Sequence, residues 1–261
     1  MDNLKKTILF RADDLGYSEA VNYGIEKSVK EGMIQSVGVM VNMPATEHGV
    51  RLLKEEPIAF SLHTNICVGK PISPIEKIPT LVDDKGNFRK SSDYRNSEID
   101  SLSKDEVLIE IEAQFKKFIE LFGRVPDYFE GHAISNKIFF EALEQFSKEH
   151  NLKYSGVPMD ADPNSLPTDS SININDNKVY MWMGAMEKDY DPYKFVESVL
   201  NNLHDDGVDM IVFHPGYLDH FILNNSSLLV PRVEEVEYLT DKDVQDEMDR
   251  LGIVQINYND L

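Results

Sequence analysis

The chain has 261 residues, of which 41% are hydrophobic, a share that is typical of globular proteins and excludes a disordered chain. Its 46 acidic and 26 basic side chains give a formal net charge of −20, and no Lys/Arg cluster interrupts this acidity. Nucleic acid and anionic membranes bind through cationic surfaces, so the composition argues against both as partners. The single cysteine, Cys67, excludes an intrachain disulfide and a cysteine-based zinc cluster.

A chain of about 250 residues commonly forms a single α/β barrel, so we predict one domain over residues 1–261. No apolar run is long enough for a transmembrane helix. The N-terminal apolar run, residues 7–10, is too short for the hydrophobic core of a signal peptide. These features predict a cytoplasmic protein.

Short apolar runs alternate with stretches of helical periodicity, a pattern typical of β/α units that build a parallel sheet. The predicted strands lie near 7–13, 34–41, 58–63, 127–131, 178–183, 209–214 and 253–257. The first predicted helix begins at Ser18 and ends at Gly32, for which we expect the left-handed conformation of a helix C-terminus.

A second helix begins at Ser103, whose S-x-x-E spacing to Glu106 has the form of a capping box, and ends before Gly123. Further helical patterns cover residues near 137–149, 191–205 and 240–251. Between about 67 and 101 the periodicity fails and prolines accumulate, which predicts a long loop or insertion, and 158–177 reads as a second loose stretch. The acidic C-terminal residues, 233–261, are predicted to form a solvated helix face.

Titratable residues follow four of the predicted strands: Asp13 and Asp14, His63, His132 after Glu130, and His214. The carboxyl ends of the strands of a β/α barrel converge on one mouth, so two carboxylates and three histidines are expected to meet there. Each residue alone is more often a structural histidine, a turn or a helix cap. Their joint occurrence favours metal binding, which is a common way to satisfy clustered carboxylates and imidazoles.

The other histidines lie outside strand ends and are not candidates for the site; they are His48, His150, His204 and His220.

Several blocks of the sequence look like the YdjC family of carbohydrate deacetylases, which are also called chitooligosaccharide deacetylases. The blocks are residues 11–18 (Arg-Ala-Asp-Asp-Leu-Gly-Tyr-Ser), 21–25, 41–44, 61–63, 69–71, 214–219 (His-Pro-Gly-Tyr-Leu-Asp) and 232–235. The resemblance spans nearly the whole chain.

This resemblance implies a distorted, incomplete (β/α) barrel of the glycoside hydrolase/deacetylase type. It implies a metal held by Asp14, His63 and His132, with Asp13 as general base and His214 as general acid. Magnesium is the metal that the family implies. Two imidazoles and one carboxylate suit a borderline transition metal better, so zinc is the alternative. A homodimer is usual for such folds.

The sequence departs from the family pattern in one segment. Where the family commonly has Asp-Ser-His-Gln followed by a further His, residues 130–136 read Glu-Gly-His-Ala-Ile-Ser-Asn. The ligand position His132 is retained, whereas the flanking groups that would contact substrate or support the ligands are not. Arg232, which follows Pro231, is a further candidate for the substrate-binding part of the site: it either orients Asp13 through a charge-assisted hydrogen bond or forms a surface ion pair.

The residue types suit metal-dependent amide hydrolysis. We therefore predict a catalytic domain that removes acetyl groups from a small N-acetylated carbohydrate of the chito-oligosaccharide type. One alternative is a metal-dependent phosphoesterase or sugar isomerase on a similar barrel. The changed segment at 130–136 motivates another alternative, an inactive carbohydrate-binding relic.

Overall fold

A computed structural model describes residues 6–96, 102–156 and 171–261. Its single sheet contains β1 (Thr7–Leu15), β2 (Ser36–Val39), β3 (Ala59–Thr64), β4 (Tyr128–Gly131), β5 (Ser171–Ile174), β6 (Asn177–Trp182), β7 (Val208–Phe213) and β8 (Val254–Ile256). The strand order is β4-β3-β2-β1-β7-β6-β5, and β8 pairs with the first residues of β1. Every pair is parallel except β5 with β6.

No ladder joins β4 to β5 in the described part of the chain, so the curled sheet is an open barrel. The predicted class, an incomplete barrel of β/α units, is confirmed. All seven predicted strands are present, and β5 is the addition. It lies within the predicted loose stretch 158–177, of which residues 158–170 lie outside the described residues. Its hairpin turn to β6 places Asn175 at φ 53°, a conformation that asparagine tolerates.

The five predicted helices are confirmed as α1 (Glu19–Lys30), α4 (Lys104–Phe122), α5 (Lys137–His150), α6 (Pro192–Asn201) and α9 (Lys242–Arg250). The described residues form four more, namely α2 (Thr46–Leu53), α3 (Ser91–Asn96), α7 (His220–Asn225) and α8 (Val230–Thr240), together with short 3₁₀ turns at Ile75–Lys77 and Tyr258–Asp260. No helix in the described ranges has the length and apolar character needed to cross a bilayer.

Two helix ends differ from their predictions. Gly32 is not left-handed; a Cβ there would lie 2.6 Å from the carbonyl oxygen of Leu239, so the residue permits close packing of α1 against α8. Ser103 caps α4 as predicted, but the carboxylate of Glu106 does not complete a capping box. It accepts hydrogen bonds from the backbone N–H and the hydroxyl of Thr80, both at 2.7 Å.

The predicted loop at 67–101 contains α3 and a 3₁₀ turn, and its last five residues lie outside the described part. Two buried side chains of α4 anchor its beginning. Glu110 accepts the backbone N–H groups of Ile72 and Ser73 at 3.0 and 2.9 Å, and Gln114 pairs with the backbone of Asn65. The segment after β3 is therefore fixed to the helix that covers it.

Candidate active site

The alternation of side chains along four parallel strands creates the site. On β1, Ile8 and Phe10 pack toward the helices, so that Arg11 and Asp13 share the inner side with Leu9. The same alternation applies to Phe60 and Leu62 on β3, to Phe129 on β4 and to Ile211 and Phe213 on β7, all in the helix-side core. It places the predicted residues His63, His132 and His214 on the inner side at the carboxyl ends of the strands.

Asp14 reaches the same side because β1 is irregular there. Simple alternation would turn Asp14 away from Asp13. The register of β1 against β2 shifts between Ala12 and Leu15, and Asp14 has a φ of 78°. Such a bulge aims an extra side chain at one face, and backbone strain of this kind persists where the surroundings over-determine it. One strand thereby supplies two adjacent carboxylates to the site.

Asp14, His63 and His132 form a compact cluster of potential metal ligands. Asp14 Oδ1 lies 3.1 Å from His132 Nδ1 and 3.4 Å from His63 Nε2, and the two nitrogens are 3.0 Å apart. Ligand atoms about 2.0–2.1 Å from one ion are separated by about 2.9–3.4 Å in octahedral or tetrahedral arrangements. The three atoms therefore fit a single divalent ion.

The electrostatics of this cluster favour positive charge. Burial disfavours ionised imidazoles, but Asp14 outweighs it and raises the pKa of His132 to about 9, while Glu130 and Asp13 raise the pKa of His63. Burial also opposes ionisation of Asp14, yet Arg232 and His132 hold its pKa well below the ordinary value. A cation that replaces the imidazole protons would be stabilised by the same field.

Glu130 supports the cluster from behind, a role that the sequence analysis missed. Its Oε2 is hydrogen-bonded to His63 Nδ1, and its Oε1 accepts the Ser61 hydroxyl at 2.7 Å. A carboxylate on the second imidazole nitrogen fixes the tautomer that turns Nε2 toward a metal. The expectation that the changed segment 130–136 leaves the ligands without support is therefore wrong for His63. The register pairs these two residues directly across β3 and β4.

Asp13 is held by Arg11, another residue that the sequence analysis did not select. An Arg11 guanidinium nitrogen lies 2.6 Å from Asp13 Oδ2, and both side chains are buried. Burial alone would raise the pKa of Asp13, but Arg11 and His63 outweigh it and lower the pKa. Asp13 Oδ1 has no hydrogen-bond partner among the described residues. Residues two positions apart on a strand lie on the same face, so the sequence could have indicated the pairing of Arg11 with Asp13.

Gly38 on β2 provides the space in which these side chains meet. A Cβ at this position would lie 2.8 Å from Asp13 Oδ1, 3.2 Å from Glu130 Oε1 and 3.3 Å from His63 Cβ. Any larger residue would displace at least one of them. A glycine inside an apolar strand indicates such a close approach, and this was the missed signal.

Arg232 is neither bound to Asp13 nor part of a surface pair, so both expectations for its partner are wrong. Its side chain is 2% exposed and donates to Asp14 Oδ2 at 2.6 Å. The other two nitrogens donate to the carbonyl oxygens of Leu228 and His214 at 3.0 and 3.2 Å. The pattern misled because Arg232 lies on α8, an element that the sequence analysis did not predict. A direct contact with substrate stays a prediction.

His214 follows β7, on the other side of β1 from His63 and His132. Burial lowers the pKa of His214 to about 4. Its Nδ1 is buried and has no partner within the described ranges. The backbone N–H of His214 donates to Glu235 Oε2 at 2.6 Å. Glu235 is fully buried, so the prediction that the acidic C-terminal region is only a solvated helix face is wrong at this position.

The discounted histidines stay outside this cluster. His204 pairs with Asp209 at 2.7 Å, and the same carboxylate oxygen accepts the indole N–H of Trp182 at 2.7 Å. His48 lies beside Asn22, and His150 packs on Phe115 and Phe146. These contacts are structural.

The protein is therefore an open β/α barrel with a candidate metal site, an Asp-His-His cluster, at the carboxyl ends of its strands. A similar fold occurs in the crystal structure of a provisionally named cellobiose-phosphate cleavage protein from Enterococcus faecalis V583, with a TM-score of 0.82, 23% identity and 98% of each chain covered. The family model described as YdjC-like protein matches residues 7–250. The chain belongs to the YdjC-like family.

Two relatives match over almost their whole length. A carbohydrate deacetylase of Clostridium beijerinckii is 32% identical over 257 residues, which cover 97% of this chain and 99% of the relative. A chitooligosaccharide deacetylase of Yersinia enterocolitica is 26% identical over an alignment of 264 positions, which covers 98% of this chain and all of the relative. The family resemblance is therefore confirmed.

Proposed function

We propose that the protein is a metal-dependent hydrolase that removes the acetyl group from a small N-acetylated carbohydrate of the chito-oligosaccharide type. The observation that carries this proposal is the Asp14-His63-His132 cluster, with a buried unpartnered atom on Asp13 and another on His214. Membership of the YdjC-like family and the names of both relatives support the same reaction. We also propose a single catalytic domain and a cytoplasmic location, as the sequence features predict, and a homodimer, which is usual for such folds.

Asp14, His63 and His132 are the residues that would hold the ion. A bound divalent ion acidifies water and polarises a carbonyl oxygen. Two imidazole nitrogens favour a borderline ion such as zinc, whereas magnesium prefers oxygen ligands. Magnesium remains the ion implied by the resemblance, so both belong in the test.

The chain's own groups would move two protons. Asp13 Oδ1 would accept a proton from the attacking water, because Arg11 occupies Oδ2 and keeps the carboxylate ionised. As the bond between the carbonyl carbon and the amide nitrogen breaks, His214 would donate a proton to the leaving amine. Because burial lowers the pKa of His214 to about 4, its imidazole is mostly neutral at pH 7 and must take up a proton during the reaction before it can pass one to the amine.

The test is acetate release from N,N′-diacetylchitobiose, with added Mg²⁺ or Zn²⁺ and after chelation. Metal-dependent release should disappear in His63→Ala. Asp13→Asn should bind Zn²⁺ like the wild type in calorimetry but lose nearly all turnover. Asp249→Asn removes the same charge at an exposed position and should keep full activity. An active Asp13→Asn variant would remove Asp13 as the base.

Absence of acetate release with either metal, on this disaccharide and on longer or phosphorylated N-acetyl sugars, would overturn the proposed function. The alternatives then separate. Phosphate release from a sugar phosphate, or interconversion of an aldose and a ketose, would identify the phosphoesterase or the isomerase. Retained sugar and metal binding without any turnover would identify the relic.

A further inference from the structure

Helix α8 carries two buried ionisable side chains, Arg232 and Glu235, which are three positions apart and therefore lie on one face. Both contact the backbone of His214. The N–H of His214 donates to Glu235 Oε2 at 2.6 Å, and the carbonyl oxygen of His214 accepts from Arg232 at 3.2 Å. Helix α8 thus binds both the backbone N–H and the backbone carbonyl group of His214.

The imidazole of His214 lacks the support that such rings usually have. A catalytic histidine is commonly oriented by a hydrogen bond to its second ring nitrogen. Here Nδ1 has no partner among the residues that the structure describes. The position of the ring is therefore set by the backbone that carries it, and any displacement of that backbone moves the ring.

The rest of the segment is fixed by the backbones of both α8 and α1. Gly216 N donates to the carbonyl oxygen of Arg232 at 3.1 Å, and Tyr217 N donates to that of Ala20 at 3.1 Å. A Cβ on Gly24 would lie 2.5 Å from the Cα of Gly216, so helix and segment touch backbone to backbone. These contacts begin two residues after His214. Within the described ranges, the side chains that bind the backbone N–H and carbonyl of His214 both belong to α8.

We propose that Glu235 is a positioning residue that places the His214 imidazole for proton donation, acting through the His214 backbone and not on substrate. The proposal rests on the proposed function, in which His214 protonates the leaving amine. Glu235 is itself oriented by the Tyr190 hydroxyl, 3.0 Å from Oε1. Arg232 has a different task as well, since it also holds the ligand Asp14.

The contact with His214 requires a hydrogen-bond acceptor at position 235. Burial raises the pKa of Glu235 to about 8, which favours the neutral carboxyl. Glutamine has nearly the same shape as a neutral glutamic acid and retains an oxygen that accepts the His214 N–H. Leucine has a similar volume but no acceptor.

The experiment compares Glu235→Leu and Glu235→Gln with Glu234→Gln, an exposed neighbour on the same helix. Acetate release from N,N′-diacetylchitobiose gives kcat and KM, and calorimetry gives the affinity for Zn²⁺. A misplacement near 1 Å can cost about 100-fold, so we expect kcat to fall about 100-fold in Glu235→Leu, with KM and zinc affinity within about twofold. Glu235→Gln should stay within about threefold of the wild-type kcat because its oxygen replaces the lost acceptor.

A second measurement does not depend on turnover. In protein labelled with ¹⁵N-histidine, the signals of His214, identified by their loss in His214→Gln, should shift or broaden in Glu235→Leu. The signals of His204, which pairs with Asp209 elsewhere, should not move. If the leucine variant does not fold, Glu235→Met removes the same acceptor on a straighter side chain, and the same readouts apply.

Unchanged His214 signals in a folded variant without the acceptor would overturn the proposal. A wild-type kcat in that variant, or a loss of kcat accompanied by an equal loss of zinc affinity, would also overturn it. If the wild type releases no acetate, the proposed deacetylase function fails on its own evidence. The histidine signals then still decide whether Glu235 positions His214.

Discussion

Replacing Glu130 tests whether the carboxylate behind His63 contributes to metal affinity. In Glu130→Gln, the amide oxygen can still accept the proton of His63 Nδ1 and the amide nitrogen can still contact Ser61, but the negative charge is lost. In Glu130→Leu, both hydrogen bonds are lost, and the imidazole is free to change its tautomer. The two variants therefore separate the contribution of charge from that of orientation.

The size of the effect follows from these contacts. Loss of a group that hydrogen-bonds a metal-binding histidine typically weakens metal affinity about 10–100-fold. We place Glu130→Gln near tenfold, about 1.4 kcal/mol, because its geometry is kept. We place Glu130→Leu near 100-fold, about 2.7 kcal/mol, because Ser61 and His63 both lose a buried partner.

The assay is calorimetric titration of chelator-treated protein with Zn²⁺. The control is Glu149→Gln, which changes the net charge equally at an exposed site and should leave the affinity within about twofold. Equal affinities for the wild type and both Glu130 variants would refute the reasoning. An equal loss in Glu149→Gln would show that the overall charge of the protein, and not the contact with His63, sets the affinity.

Three further predictions concern the packing around Gly38, the loop contacts of Glu110 and the dependence of stability on pH. Gly38→Ala should lower kcat strongly and the free energy of unfolding by about 1–3 kcal/mol, because its Cβ would lie 2.8 Å from Asp13 Oδ1 in a fully packed site; full activity would contradict this. Glu110→Leu should lower the free energy of unfolding in urea by about 3 kcal/mol, because two backbone N–H groups lose their acceptor; a loss below about 1 kcal/mol would count against it. Burial raises the pKa of Glu235 to about 8 from an ordinary 4.5, so the unfolded chain releases this proton first and the stability due to Glu235 falls as pH rises between these values. The melting temperature of Glu235→Gln should therefore rise relative to that of the wild type as pH increases across this range. If the two melting temperatures change with pH in parallel, the raised pKa of Glu235 is excluded.

Much of the site could be predicted because it depends on strand alternation. Apolar runs ending in Asp13, His63, His132 and His214 mark strands whose carboxyl ends meet, and the structure brings these side chains to one face. Alternation is a local property of the sequence, which is why residues about 200 positions apart could be assigned to one mouth.

What could not be predicted depends on departures from regular patterns. Nothing in the sequence announces the bulge that turns Asp14 inward, since aspartate is also an ordinary turn residue. Helix α8 begins after Leu229 without a side-chain cap, and it buries Arg232 and Glu235 where an amphipathic pattern requires apolar residues. The partners of these two side chains, Asp14 and the backbone of His214, are distant in sequence, so the burial of Arg232 and Glu235 could not be predicted from the sequence of α8.

The pairing of Arg232 with Asp14 joins positions separated by 218 residues. A ribosome making this chain releases the two adjacent aspartates early and the guanidinium that balances the second one almost last. Until then, folding of the first strands would bury Asp14 without its arginine partner, which is costly in an apolar interior. Completion of the site during synthesis therefore has to await α8, so that a chain interrupted before this helix leaves Asp14 without the guanidinium that pairs with it.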